Sequence, residues 1–436
     1  MPDESSSTAP SGGVMTRNQA VFIGVGAMVG AGIFTLLGEA GKIAQSAVWV
    51  SFLAAGLIAM LQGYSSVYLG KKYASPSGLV GYIGAGFGKD GRVTSALAWV
   101  AWASTVIVIA MVATSFGTYG TALFTGGGQS ATLIKLLATV IVAGIVVLSS
   151  LGGAKAIASA QAVLVRLVIV ILMAIAAITM FTADWSLLAP STYPPVSDIV
   201  GSIALTFFAF LGFNMISFTA KDLKDPKDLG PASYIAIVVA IVIYVAVSLG
   251  VFGQLTPQEV TDAGAMAIAL AVKPVLGQIG YVIVAITAML STAGAINANL
   301  YAAPGLLGTL AADGTLPTFF GAKKGKYPAS LLVTAALILV FVWMFDLSAI
   351  ASLGSAVALF IFLMISIGHI RIRKETGANV IVLVLGGLTV VVTLVSFFAT
   401  TLKTSPTSLI AFVVLVALAV IADTVWRSMR ARTTSG

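Results

Sequence analysis

The sequence predicts an all-α integral membrane protein with twelve transmembrane helices, and three observations carry that prediction. Hydrophobic residues make up 59% of the 436 and charged residues only 9%, with a mean hydropathy of +1.06, which leaves too little polar surface to cover a soluble globule of this size. Apolar runs of the ~20 residues that cross a bilayer as a helix fill nearly the whole chain. Those runs lack the alternation of apolar and polar residues that a membrane barrel shows.

In chain order the runs lie near 20–38, 47–69, 95–124, 131–151, 157–181, 199–220, 232–253, 279–302, 328–345, 348–370, 379–400 and 408–427. Residues 1–15 are polar and rich in Ser, Gly and Pro, without the basic and apolar regions of a cleavable signal, so they read as a disordered cytoplasmic tail. The first span must then direct insertion. The loops are short, which makes residues 16–427 one membrane domain with no room for a soluble catalytic unit, and 428–436 a second cytoplasmic tail.

The net charge of +8 has a topological origin. Placing both termini in the cytoplasm puts Arg17, Lys71, Lys72, Lys89, Arg92, Lys155, the lysines of 221–227 and 323–326, Arg371, Arg373, Lys374 and the arginines of 427–432 inside. Only Lys42, Lys135, Lys273 and Lys403 then fall outside. This is the positive-inside bias, which calls for an even number of spans and argues against nucleic-acid binding. The chain has no cysteine and one histidine. No disulfide, no metal constellation and no acid-base or nucleophilic catalytic set is visible, so an enzyme is not expected. His369 and Asp423 sit at cytoplasmic helix ends, where polar side chains are ordinary.

The first span carries GAMVGAGIF at 26–34, with Gly26, Gly30 and Gly32 in one helical stretch. Each glycine costs roughly 0.5–1 kcal/mol relative to alanine there. Gly26 and Gly30 form a GxxxG that would let another helix pack closely, but Gly32 lies off that spacing. The sixth span carries a second candidate break, FFAFLGF at 207–213. The first span begins inside and the sixth outside, so the breaks are related by inverted topology, as in repeats of five helices each. Unwinding at mid-membrane frees backbone groups that hydrocarbon cannot satisfy and a polar ligand can. The amides of Ala31 and Gly32 would face a carboxylate, and carbonyls of both breaks an ammonium.

GAMVGAGIF, FFAFLGFN, KDLKDPKDLGPA at 221–232 and AADGTLP at 311–317 together resemble the amino acid-polyamine-organocation superfamily over about residues 16–427. The stretch 264–317 looks closest to its prokaryotic proton-coupled amino acid transporters. The resemblance implies a LeuT-like 5+5 inverted repeat with broken helices 1 and 6. It also implies a substrate carboxylate on the amides of Ala31 and Gly32, with Gly30 shaping the turn, and an amino group on the carbonyls of Met28, Phe208 and Leu211. Phe207, Phe208 and Phe210 would supply an aromatic lid, with ordinary packing the alternative for at least one of them. Asn214 departs from the family, where an acidic residue often follows the break.

Arg166 lies nine residues past Ile157, roughly 14 Å along its helix and near the midplane. A charge there costs about 2.5–3.5 kcal/mol on insertion scales unless it faces protein or water, or snorkels to the surface. In the proton-coupled relatives a lysine on the fifth helix occupies the ion position. Matching V-R-L puts Arg166 there; anchoring on Gly-Ala-Lys at 153–155 and Gln161 puts Val168 there and turns Arg166 away by roughly 200°. An arginine could not cycle a proton at cellular pH. Ser291 and Thr292 match the hydroxyl pair that ligates sodium in coupled relatives, with the carbonyls of Gly26 and Val29 completing the shell; plain interhelical hydrogen bonding is the other reading. The coupling ion, H⁺ or Na⁺, stays open.

The expected function is secondary active transport of an amino acid across the plasma (inner) membrane, by symport or by exchange, with membrane lipid as surroundings and a monomer or homodimer as the assembly. A neutral amino acid is favoured because the third and sixth spans contain no Asp or Glu. A channel would need a polar pore or charge rings, and a sensor an output domain.

Overall fold

The computed structural model describes residues 15–73, 78–150, 154–218, 222–324, 327–404 and 406–434. Residues 1–14 of the expected tail and Lys221 lie outside them. Helices dominate because hydrocarbon offers the backbone no partners, so each segment must satisfy its own.

The first span is two helices, α1 (Arg17–Ala31) and α2 (Ile33–Ala44), separated by Gly32. A capping box starts α1: Thr16 accepts from the Gln19 amide while Gln19 reaches back to the Thr16 amide. Then follow α3 (Val48–Tyr73), the short α4 (Leu79–Phe87), α5 (Arg92–Thr125), α6 (Ala131–Ser150) and α7 (Ala154–Phe181). The sixth span is α8 (Val196–Phe208), a tight turn Leu211–Phe213 and α9 (Asn214–Phe218). Beyond it come α10 (Leu229–Phe252), α11 (Pro257–Ala263), α12 (Ala267–Ala312), α13 (Ala329–Met344), α14 (Leu347–Arg371), α15 (Arg373–Thr376), α16 (Val380–Thr404) and α17 (Pro406–Thr434). Gly277, at φ 62°, kinks α12 near its start. Residues 428–434, read from sequence as tail, continue α17 as helix.

Among the described residues ten helical stretches are long and apolar enough to span a bilayer. The difference from twelve is physical. Gly32 cuts the first span into pieces of 15 and 12 residues, each too short alone, and α13 has only 16.

α2, α5, α8 and α14 are deeply buried, while α6, α7, α16 and α17 present apolar side chains outward. In the interior α1 packs on α9 and on the turn Leu211–Phe213, and α2 packs on α8. First half meets second half, so the two broken spans cross antiparallel, which is what an inverted repeat expects of its leading helices. Where α3 ends, the Tyr73 hydroxyl donates to Glu375 of α15 at 2.6 Å. That bond, helped by Lys72, holds the Glu375 carboxyl below its usual pKa. The tie is therefore intact at neutral pH and is lost only as pH falls through that lowered value.

Candidate functional site: the crossing of the two broken spans

The break in the first span is one residue wide. Gly32 sits at φ −91°, ψ −83°; its amide donates to Met28 O at 2.8 Å, and its carbonyl accepts from the amides of Thr35 and Leu36. Ala31 is still part of α1. The amides of Ala31 and Gly32 therefore stay in the helical ladder, contrary to the sequence expectation. The donors a helix start leaves over are those of Ile33 and Phe34, at the positive end of α2. The free amides thus lie two residues further along the chain than the sequence expected.

The breaks touch through their backbones. A Cβ on Gly32 would lie 2.6 Å from Met28 O and 2.7 Å from Ala209 O, and would also collide with the Tyr244 hydroxyl. A Cβ on Gly212 would lie 2.5 Å from the Ala27 carbonyl carbon and would strike the Met28 amide nitrogen. Both glycines are required by this approach, whatever their helix propensity.

The three phenylalanines expected to form one lid point in different directions. Phe207 meets Phe362 of α14 edge-on at 5.5 Å. Phe208 packs where Gly354 of α14 and Ile107 of α5 come together. Phe210 meets Tyr244 of α10 edge-on at 4.9 Å. All three are buried, so in this conformation they are packing residues and not a shared cover.

A cavity of about 190 Å³ opens beside the second break, lined by Leu211 and Asn214 and by Ser104, Thr105, Asn299 and Phe362 from α5, α12 and α14. It holds no ionisable side chain among its lining residues. Asn214 accepts from Ser66 at 3.0 Å and donates to Leu211 O at 3.3 Å. An amide makes both bonds; a carboxylate could only accept. Asn299 donates to Ala295 O at 2.9 Å. Its place on the cavity was not read from sequence, where it is one of several polar residues in the helix.

The expected ion-site residues divide. A Cβ on Gly30 would meet Ala295 and Ser291 of α12 at 3.1–3.8 Å, so Gly30 and Ser291 are neighbours, and Val29 is buried beside them. Thr292 donates to Ala288 O at 2.7 Å, leaving its oxygen able to accept. On α7 it is Val165 that presses against Gly26. Arg166 is a correction. It is exposed, on one stripe with Val163, Leu167, Val170 and Met173, and its guanidinium lies 5.0 Å from the ring of Phe22. Val168 is buried at 3%. The helix turns the cation out toward lipid and the valine in.

Residues 16–421 match the amino acid permease family. The chain belongs to that family. The permease is 32% identical over 385 residues to the inner membrane transport protein YbaT of Escherichia coli, covering 86% of this chain and 88% of that one. It is 33% identical over 367 residues to an uncharacterized protein of Methanocaldococcus jannaschii, 83% of each. Over 378 residues it is 24% identical to a branched-chain amino acid permease of Bacillus subtilis, 81% and 79% of the two chains. It is thus a multi-pass membrane protein of a transporter family, and not of an enzyme family.

Away from the cavity the first span is tied to the segment after α11. Gly38 of α2 packs on the backbone of Gly264, so tightly that a Cβ would overlap it. The Tyr119 hydroxyl lies 2.6 Å from Ala265 O and 3.2 Å from Phe34 O, joining α5, α2 and the segment after α11. Glu39, 5% exposed and bonded to Lys42 at 2.8 Å, belongs to this tie and escaped the sequence reading because it stands just past the first apolar run. At the other end His369 is fully buried, bonded to Ser65 at 2.7 Å and Thr376 at 2.9 Å. Asp423 joins Ser95 and Arg427. Both are structural ties between helices.

Proposed function

We propose that the permease carries a neutral α-amino acid through the crossing of its first and sixth spans, across the inner membrane, with both termini in the cytoplasm. The observation that carries the substrate class is the cavity beside Leu211 and Asn214, which offers hydroxyls, amides and apolar surface but no ionisable group. A charged substrate side chain would be desolvated there without a partner. The α-carboxylate would sit at the start of α2, on the amides of Ile33 and Phe34 and beside Gly32, and the ammonium on carbonyls of both breaks. A relative's name as a branched-chain amino acid permease supports the same class.

The closed contacts of Gly38, Tyr119 and Gly264, together with a cavity among α4, α5, α12 and α14, fit alternating access with the cytoplasmic side the more open. Without a guanidinium at the α1–α12 contact, the carbonyls of Gly26 and Val29 and the hydroxyls of Ser291 and Thr292 make a set of oxygen ligands suited to a sodium ion rather than a fixed positive charge. Counterflow of labelled amino acids into proteoliposomes tests the substrate. Alanine and leucine should compete; if arginine, lysine or putrescine outcompetes them, the neutral reading fails.

A further inference from the structure

Tyr244, in the middle of α10, belongs to neither broken span, yet it touches both. Its hydroxyl donates to Ala209 O at 3.0 Å and occupies the space a Cβ on Gly32 would need. Ala209 stands at the end of α8 and Gly32 at the end of α1. One hydroxyl therefore sits in the seam between the two breaks. The ring is held on both sides, by Phe52 of α3 at 5.3 Å and Phe210 at 4.9 Å, each inclined at 61°. Tyr244 has 0% exposure, and Ser248 anchors its carbonyl at 2.6 Å. Phe210 packs in turn over Gly56 of α3, where a Cβ would come within 3.3 Å of its ring.

A tyrosine at this place does two things a phenylalanine cannot. It satisfies the Ala209 carbonyl, which the end of α8 leaves over inside the membrane. It also fixes how far Ala209 O stands from Gly32, because the hydroxyl is a spacer of set length on a rigid, clamped ring. Resting on the reading that substrate binds where the breaks meet, we propose that Tyr244 is a positioning residue of that site: its hydroxyl sets the spacing and orientation of the two breaks around the amino acid's backbone. Gly32 and Tyr244 then form one unit, the glycine being bare because the hydroxyl needs its space.

Removing the hydroxyl should loosen binding while the bundle, held by its other contacts, still folds. In proteoliposomes Tyr244→Phe should raise the KM for the preferred amino acid about tenfold, the worth of one buried hydrogen bond, with Vmax within about twofold. Tyr73→Phe is the control, a tyrosine whose hydroxyl bond to Glu375 lies at the far end of α3 from the breaks; its KM should not change. Unchanged KM in Tyr244→Phe, or an equal rise in both variants, overturns the proposal. Should Tyr244→Phe fail to fold, Gly32→Ala displaces the hydroxyl from the other side and must raise KM, and an unchanged value there is equally decisive. No uptake of any amino acid by the unmutated permease would instead remove the transport reading on which this rests.

Discussion

Gly32 was legible as special because a third glycine off the GxxxG spacing has no packing partner to account for it; that its neighbours are Ala209 and Tyr244 was not, since such contacts are set by fold and not by local pattern. Gly32→Val should abolish substrate binding while the protein still inserts, because Met28 O of its own span, Ala209 O and the Tyr244 hydroxyl already fill the space. Gly26→Ala should cost only about 1 kcal/mol of stability, since the side chain of Val165 can shift. Binding titration and thermal unfolding of both variants in detergent check this, and full affinity in a folded Gly32→Val protein would return the glycines to plain packing. Asn214 carries the second residue-scale prediction. Asn214→Asp keeps the bond from Ser66, loses the donation to Leu211 O and buries a charge at the cavity. Uptake of neutral amino acids should fall about tenfold and cationic ones should begin to compete, read by competition in the same vesicles. For the phenylalanines the sequence left lid and packing both open; in the structure each meets a different neighbour.

At the scale of elements, helix positions could be read from hydropathy but helix rotations could not. A shift of two residues in matching α7 to relatives swings the helix by more than half a turn, and the outward stripe of Val163, Leu167 and Val170 settles which way it faces. Arg166 keeps its charge near lipid by lying on Phe22, a cation–π contact with a long stem free to reach toward polar surroundings. Arg166→Leu should therefore leave uptake within about twofold of the unmutated rate and leave its response to sodium, measured at fixed pH, unaltered. A sharp loss of uptake would put the guanidinium back in the transport path. The break in α1–α2 falls at Gly32, inside the stretch 26–34 that the glycines marked; a helix start leaves bare the amides that follow it, not the one at the interruption.

For the whole molecule, composition and hydropathy sufficed for an all-helical membrane class, because burying backbone in hydrocarbon allows so few solutions. The interior polar ties of Tyr244 and Tyr119 were hidden, because their partners lie far off in sequence. α13 has a consequence of another kind. Its 16 residues reach only about 24 Å, several ångströms less than a typical hydrocarbon core of roughly 30 Å. Trp343 near its end is fixed to α6 through Thr139 and Lys135, so α13 cannot easily slide to find a better depth. The bilayer must thin around it. Membrane thickness then acts as a load on one side of the bundle, and uptake in vesicles of graded acyl-chain length should be fastest in the thinner bilayers and decline as the chains lengthen. A rate indifferent to chain length would mean that the neighbouring helices carry the mismatch instead.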